Sequence, residues 1–196
     1  MGEAAHASSY YDYKPNVLLD AAFVPENALD GFAGETSWWS AGDNRSEEVF
    51  WQVNLTTAPP PLARIVIRWH GFQTPAQYRI RVSRLGESFQ TIAVMSGKSI
   101  EYDRVDIITE GLDKATAARF KFLRVTMETA NVCSDASVCE DPTTATAAAA
   151  TNERVIYGIR EFELWAKGTK SDATTINVST RYLRWITVLV AALAFS

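Results

Sequence analysis

The chain has 196 residues, of which 47% are hydrophobic and 11% aromatic, so it is long and apolar enough to form one domain with a full core. Its formal net charge is -4, from 19 basic and 23 acidic residues, which offers no positive patch for a polyanion. We therefore predict one globular unit with tails and exclude nucleic acid as a partner.

Alternation of apolar and polar residues with a period of two runs through the body of the chain, whereas helical periodicity is nearly absent. A triple proline at 59–61 cannot donate to a central ladder and is predicted to be a connector. A single helical turn is predicted within 111–118. In chain order, strands are predicted at 50–55, 64–69, 78–83, 89–94, 120–127 and 157–166. Short strands separated by turn signals indicate an all-β sandwich.

One segment, 131–153, is rich in alanine and polar residues and interrupts the strand pattern. We expect it to be a long inserted loop. It contains the two cysteines of the chain, Cys133 and Cys139, whose spacing fits either a small local disulfide or two free thiols.

Domain boundaries are predicted from composition: an N-terminal tail at 1–13, the domain at 14–168, and a polar linker with a short apolar tail at 169–196. The apolar stretch 186–196 is shorter than the roughly 20 residues of a membrane-spanning helix. With small residues at 171–173 it fits a lipid-anchor signal, and a truncated transmembrane segment or a helix lying on the domain are the alternatives. No secretory signal is visible at the start. We expect an extracellular or cell-surface location.

Several sequence blocks occur in an order that resembles a known family. A Pro-x-Asn-Ala-x-Asp-Gly turn at 25–31 precedes Thr-x-Trp-x-Ser at 36–40. The blocks FWQVNL, IVIRW, AQYRIRVSRLGESFQTI, KFLRV and IREFELWA follow in that order. Together they resemble the discoidin domain, the C-terminal type of coagulation factors 5 and 8, which is similar to family-32 carbohydrate-binding modules and fucose-binding lectins. The resemblance departs from the pattern at Asn54, where aspartate is usual, and at Leu85 and Phe89, which replace the turn aspartate and tryptophan.

The resemblance implies a galactose-binding-domain-like jelly-roll β-sandwich of about eight antiparallel strands. It also places Trp38 in the core. Trp39, next in an extended chain, points the opposite way and is either an exposed platform or packed against the other sheet face, and we favour packing.

A structural calcium ion (Ca²⁺) is implied at one edge of this fold. Its side-chain ligands are Asp30, Thr36 and Glu161, and backbone carbonyls come from Asn27 and Arg160. Hard cations take six to eight oxygens, which an Asp-Gly turn beside a threonine and a glutamate supplies in part. The Asp-to-Thr spacing is six residues where five is usual. The alternative is that Asp30 caps its own turn while Glu161 pairs with an arginine.

The ligand surface implied by the resemblance lies in three loops, at about 20–24, 70–76 and 96–104. Sugars are bound by an aromatic ring that stacks on their apolar face and by polar groups that bond their hydroxyls. Residues of this chemistry in the three loops are Phe23, His70, Phe72, Gln73, Lys98 and Tyr102. The alternatives are that His70 is an ordinary surface residue and that Phe72 fills a loop core.

The predicted function is non-catalytic recognition of glycans or glycoproteins. The alternative is an adhesion or phospholipid-membrane-binding module of the coagulation-factor type, which needs exposed apolar tips beside basic residues. Mixed charges in 96–104 and the negative net charge favour sugar or protein. An enzyme is not expected, because the two histidines, His6 and His70, have no nucleophile that can be paired with them.

Overall fold

A computed structural model describes residues 4–10, 23–32, 37–41, 48–71, 73–99, 101–130, 157–168 and 174–176. In these residues the helices are a 3-10 helix, Pro25–Leu29, and one α-helix, α1 (Leu112–Ala118). The strands are β1 (Ala4–Ala7), β2 (Trp39–Ser40), β3 (Val49–Asn54), β4 (Leu62–Trp69), β5 (Pro75–Ser83), β6 (Gln90–Met95), β7 (Val105–Ile108), β8 (Phe122–Ala130), β9 (Gly158–Ala166) and β10 (Thr174–Ile176).

The strands form two antiparallel sheets. The first has the order β1-β3-β8-β5-β6, and the second has the order β10-β9-β4-β7 with β2 pairing to β9. The all-β sandwich predicted from the sequence is confirmed.

The two sheets pack through large aromatic side chains that are fully buried. Trp51 of β3 lies 4.8 Å from Phe162 of β9, measured between ring centroids. Trp69 of β4 lies 5.2 Å from Tyr78 of β5 in an edge-on arrangement. Each pair joins one sheet to the other, and aromatic rings of this size contribute a large share of the apolar area that stabilises such a core.

Strands predicted from alternation correspond to β3, β4, β5, β6, β8 and β9, with ends that differ by a few residues. The triple proline at 59–61 lies directly before β4, as expected of a connector. The single helical turn expected within 111–118 is longer, a helix of 7 residues.

Besides the two-residue β2, three strands lie where none was expected. Residues of the predicted N-terminal tail form β1, which pairs with β3 and buries Ala5 to 3% exposure. Part of the predicted linker forms β10, which pairs with β9. The third is β7, which pairs with β4 at the edge of the second sheet. Edge strands of three or four residues are held by hydrogen bonds to a longer partner strand. They are too short to show an alternation of apolar and polar residues from which they could be predicted.

Some predictions concern residues that the structure does not describe. The inserted loop 131–153 with Cys133 and Cys139, and the apolar tail 186–196, lie outside the described residues. Within the described part, no helix is long and apolar enough to cross a membrane.

Candidate functional site

The tandem tryptophans at β2 face opposite directions. Trp39 pairs with Ile159, a core residue of β9, and is fully buried, and its indole N–H donates to the Ser9 carbonyl at 3.1 Å. Because successive residues of an extended chain point to opposite faces, Trp38 faces away from the core. The prediction that Trp38 is the core residue is wrong, because pairing with Ile159 turns Trp39 inward instead. The preference for packing of Trp39 is confirmed.

Trp38 belongs to a stack of three aromatic rings. Its centroid lies 3.9 Å from that of His70, with 13° between the planes, and 4.4 Å from that of Phe23, with 32° between the planes. Two rings this close cannot share one face of an indole, so Trp38 lies between them. His70 is buried, whereas Phe23 and Trp38 are partly exposed. The structure thus brings together two of the predicted ligand residues around a tryptophan that was not among them; we call Phe23, Trp38 and His70 the ring stack.

A β-bulge positions an arginine beneath the ring stack. The register between β4 and β9 skips Arg160, which lies between the paired residues Ile159 and Glu161. Bulges of this kind redirect a side chain. Arg160 Nε donates to His70 Nδ1 at 3.2 Å, and its Nη1 lies 2.8 Å from Asp103 Oδ2. Since a guanidinium only donates, His70 Nδ1 is an acceptor and the neutral imidazole carries its proton on Nε2.

Asp103 joins the second and third predicted loops. Its N–H donates to the Gly71 carbonyl at 3.0 Å, and its Oδ1 accepts from the Gly71 N–H at 2.8 Å. Asp103 has φ 53°, in the left-handed region that aspartate tolerates better than most residues. Arg104 adds bonds to the carbonyls of Ser99, at 3.0 Å, and Pro75, at 2.9 Å. The described parts of the second and third loops are therefore bonded to each other.

Gln73 packs within the loop rather than beside the outer rings. Its N–H donates to the His70 carbonyl at 3.0 Å, and its carbonyl accepts from the Gly158 N–H at 3.0 Å. Its Oε1 accepts from Ser40 Oγ at 3.4 Å. A methyl group added at Gly158 would lie 2.5 Å from Gln73 Oε1 and 3.0 Å from His70 Cβ. Alanine at this position would displace the Gln73 side-chain amide and press on His70.

The remaining predicted ligand residues lie apart from the ring stack or outside the described residues. Lys98 lines a cleft of about 670 Å³ between β6 and β7, and its Nζ lies 3.3 Å from Asp106 Oδ1. Tyr102 is 51% exposed and directly precedes Asp103, the residue that joins the second and third loops. Phe72 is outside the described residues.

Asp106 is the acceptor at the centre of a buried network. Its Oδ2 accepts from Trp69 Nε1 and Tyr78 Oη, each at 2.8 Å, and from Arg104. Burial opposes ionisation, but the charge of Arg104 and the two donors outweigh it and hold the pKa of Asp106 below its usual value. This network fixes Arg104, and through it the loops, to both sheets.

Asp30 and Glu161, two of the predicted metal ligands, are near each other at the end of the 3-10 helix. Asp30 Oδ1 accepts from the Phe32 N–H at 2.8 Å, so Asp30 caps its own turn. Its Oδ2 accepts a short hydrogen bond from Ser37 Oγ. The self-capping half of the alternative interpretation is therefore observed. Thr36 is outside the described residues.

Glu161 differs from a paired surface carboxylate. It is 8% exposed, and its Oε2 has no hydrogen-bond partner among the described residues. Burial and the nearby Asp30 raise the pKa of Glu161 to about 8, while the Gly31 N–H partly offsets this. Glu163, in contrast, accepts from Arg68 at 2.9 Å. An unsatisfied buried carboxylate oxygen beside a second carboxylate is an arrangement that a cation would stabilise.

The described part of the chain has no group of three or more His, Cys, Asp or Glu residues placed to hold a metal. A hard cation here would therefore rely on two carboxylates, Asp30 and Glu161, together with neutral oxygens. The Asn27 side chain is occupied elsewhere, since its Nδ2 donates to the Trp38 carbonyl at 3.1 Å. This leaves its backbone carbonyl as the group that the resemblance assigns to the metal.

Sequence reasoning missed three participants of the site: the ring of Trp38, the side chain of Arg160 and the carboxylate of Asp103. Strand alternation indicated only that one of the two tryptophans faces away from the core, without showing which. Arg160 and Asp103 carried none, because a bulge and a left-handed turn depend on pairing partners far along the chain.

A family model described as F5/8 type C domain matches residues 4–140. No curated protein matches the chain significantly in sequence.

Solved structures similar to the chain share its fold at low sequence identity. Chitosan-binding module 1 of a chitosanase/glucanase from Paenibacillus sp. IK-5 has a TM-score of 0.55 and 20% identity, over 85% of this chain and 96% of that one. The family 32 module of NanJ from C. perfringens, solved in complex with galactose, has a TM-score of 0.52 and 15% identity, over 83% and 92%. A glycoside hydrolase matches over 82% of this chain but 30% of its own length, with a TM-score of 0.53 and 20% identity.

Proposed function

This chain belongs to the F5/8 type C domain family, and we propose that it is a non-catalytic domain that binds glycans at the ring stack. The observation that carries the proposal is the stack itself. Phe23 and Trp38 are partly exposed and lie over a buried His70, which a bulged arginine holds in place.

The geometry of the ring stack suits a sugar. A pyranose has one apolar face that packs on an aromatic ring, and its hydroxyls need polar groups at fixed positions. Phe23 is the outermost ring of the stack, and the Asp103 turn with the exposed Tyr102 is bonded to Gly71, next to His70. Because Asp103 and Arg104 already hold the described parts of the second and third loops, ordering these parts costs little free energy on binding.

The fold comparisons support the same ligand class. One similar structure is a chitosan-binding module and another was solved with galactose. These two sugars are therefore the first probes, after a glycan array.

The experiment measures glycan affinity by calorimetry for the wild type, Phe23→Ala and Trp38→Ala. Each variant is expected to weaken binding at least tenfold, about 1.4 kcal/mol, because a stacked aromatic is the main anchor. Phe89→Ala is the matched control, since Phe89 lies beyond the far end of β5 and stacks on Arg124, not on the ring stack. Affinity that is unchanged in both stack variants would refute this site.

Phospholipid binding is the alternative function, and it is tested with the same wild type and variants. Membrane-inserting loops present exposed apolar tips with basic residues beside them. Here Trp38 is enclosed between two rings, and Lys98 is bonded to Asp106. We expect no sedimentation with phosphatidylserine vesicles. Vesicle binding without any glycan binding would replace the glycan proposal with the membrane one.

We further propose that Asp30 and Glu161 bind a structural calcium ion, with the carbonyls of Asn27 and Arg160 and with Thr36 as the further ligands. The unsatisfied Oε2 of Glu161 supports this site. Calcium at 100 times its Kd should add about 2.7 kcal/mol to the free energy of unfolding. Glu161→Gln should remove this gain, while Glu163→Gln, two residues along the same strand, should keep it. A chelator that leaves the wild-type melting temperature unchanged would exclude the site.

We also propose that the domain acts at the cell surface or outside the cell, where glycans are accessible. Its apolar tail is the proposed anchor signal.

A further inference from the structure

We propose that the cation site and the ring stack are energetically coupled, and that Asn27 is the positioning residue that couples them. The inference rests on the proposed function, since it concerns the two sites named there. It is carried by contacts in which residues of one site hold residues of the other.

The first link runs through the segment that carries Trp38. Asn27 Nδ2 donates to the Trp38 carbonyl at 3.1 Å, and Asp30 Oδ2 accepts from Ser37 Oγ. Residues 37 and 38 are thus bonded to two side chains of the 27–30 segment, which supplies two of the proposed ligands. Asn27 has separate groups for the two tasks, a backbone carbonyl for the cation and a side-chain amide for Trp38.

The second link runs through the bulge in β9. Glu161 and Arg160 are adjacent, and the bulge sends the Arg160 side chain to His70 at 3.2 Å and to Asp103 at 2.8 Å. A shift of the Glu161 backbone therefore moves the arginine beneath the ring stack. His70 stacks on Trp38, so both links end at the same indole.

The direction of the coupling follows from the contacts of Glu161. Without a cation, Glu161 Oε2 has no hydrogen-bond partner among the described residues, so this atom does not hold β9 to the 27–30 segment. A cation shared by Asp30 and Glu161 would add this connection and hold Asn27, Trp38 and residues 160–161 in the arrangement that the rings require. Glycan affinity should therefore rise about tenfold with calcium, and by reciprocity the glycan should raise calcium affinity by the same factor.

Asn27→Ala separates coupling from cation binding, because it removes the amide while keeping the backbone carbonyl. The experiment measures the Kd of galactose and of a chitosan oligosaccharide with and without calcium, and the Kd of calcium alone. In Asn27→Ala, measured at a calcium concentration that saturates the variant, the tenfold calcium effect on the glycan Kd should fall below about threefold. Asn54→Ala, an asparagine in β3, is the matched control and should keep the full effect.

A second measurement is independent of any glycan. Calcium should change the tryptophan emission of the wild type, and the change attributable to Trp38 should be absent in Trp38→Phe and reduced in Asn27→Ala. If the wild type binds glycan equally with calcium and with chelator, the coupling is overturned while the glycan function stands. If the wild type binds no glycan at all, the proposed function fails, and the emission measurement alone tests the link between the two sites. In that case, an emission spectrum that does not change with calcium overturns the link.

Discussion

Adjacent residues of this chain have opposite tasks. Trp39 is fully buried against β9, and Trp38 is clamped between Phe23 and His70 at the loop end. A two-residue strand that pairs through Ile159 suffices to impose this division. The same side-chain type therefore stabilises the fold at one position and faces the ligand loops at the next.

This division predicts separate effects on stability and binding. Trp39→Ala should lower the free energy of unfolding by about 3–5 kcal/mol, because it leaves a large cavity in the core. Trp38→Ala should lower it by less than about 2 kcal/mol, since its ring is partly exposed. Urea unfolding followed by circular dichroism measures both changes. Equal losses in the two variants would show that Trp38 is a core residue after all.

At the residue scale, the sequence placed Phe23 and His70 in separate predicted ligand loops, and the structure brings both rings against Trp38. The sequence could not indicate which of the two tryptophans would join them. In TSWWS either Trp38 or Trp39 can face the core, and the partner strand decides which one does. Arg160 was predicted to contribute its backbone carbonyl to the calcium site. No local pattern shows that its guanidinium reaches His70 and Asp103.

At the scale of elements, β9 determines the site. It carries Glu161 toward Asp30, Arg160 toward the ring stack, and Gly158 against the loop that follows β4. The alternation in IREFELWA identifies the strand from sequence. The bulge arises where this strand meets β4, so it follows from the pairing and not from the strand's own residues.

Gly158→Ala tests how closely β9 approaches the loop. The added methyl group would lie 2.5 Å from Gln73 Oε1, which must rotate away, and 3.0 Å from His70 Cβ, which must shift, with a stability loss of about 1–3 kcal/mol. The shift of His70 should weaken glycan binding at least tenfold.

The double variant Gly158→Ala, Gln73→Ala provides the control, because it removes the atom that the methyl group meets. Its stability and affinity should be better than the sum of the two single changes. Strict additivity in calorimetry and unfolding would show that the contact between Gly158 and Gln73 does not position the loop.

The edge strands show where sequence reasoning ends at this scale. β7 has only four residues, Val105–Ile108, and β1 is an alanine-rich segment, AAHA. Neither has enough residues to establish a period, and each is held by hydrogen bonds to a longer neighbour, β4 or β3. The longer strands have six or more residues with alternate positions buried, which is enough to show a period of two, so they were predictable from the sequence.

At the scale of the whole molecule, the Asp106 network ties both sheets to the loops. Trp69 belongs to the second sheet and Tyr78 to the first, and both donate to the same carboxylate oxygen. Arg104 bonds to that carboxylate and to the carbonyls that shape the loops. A single ionised group therefore links sandwich stability to the arrangement of the site.

This linkage gives a pH dependence with a defined sign. The pKa of Asp106 is lowered in the folded state, so its contribution to stability is complete above the unfolded value near 3.8 and is lost as pH falls through the folded value. Asp106→Asn should lower the free energy of unfolding at neutral pH by about 3–5 kcal/mol, because it leaves Arg104 buried without its charge partner. It should also reduce the slope with which the free energy of unfolding decreases at acid pH, the acid limb of the stability curve.

Unfolding measured from pH 2 to pH 7 on the wild type and on Asp106→Asn gives both quantities. Asp113→Asn is the control, since Asp113 is 95% exposed and its ion pair with Lys167 is screened by solvent. Its curve should follow that of the wild type within about 0.5 kcal/mol. An acid limb equally steep in Asp106→Asn and the wild type would place the acid sensitivity in other carboxylates, and Asp106 would then be a hydrogen-bond acceptor whose charge does not matter.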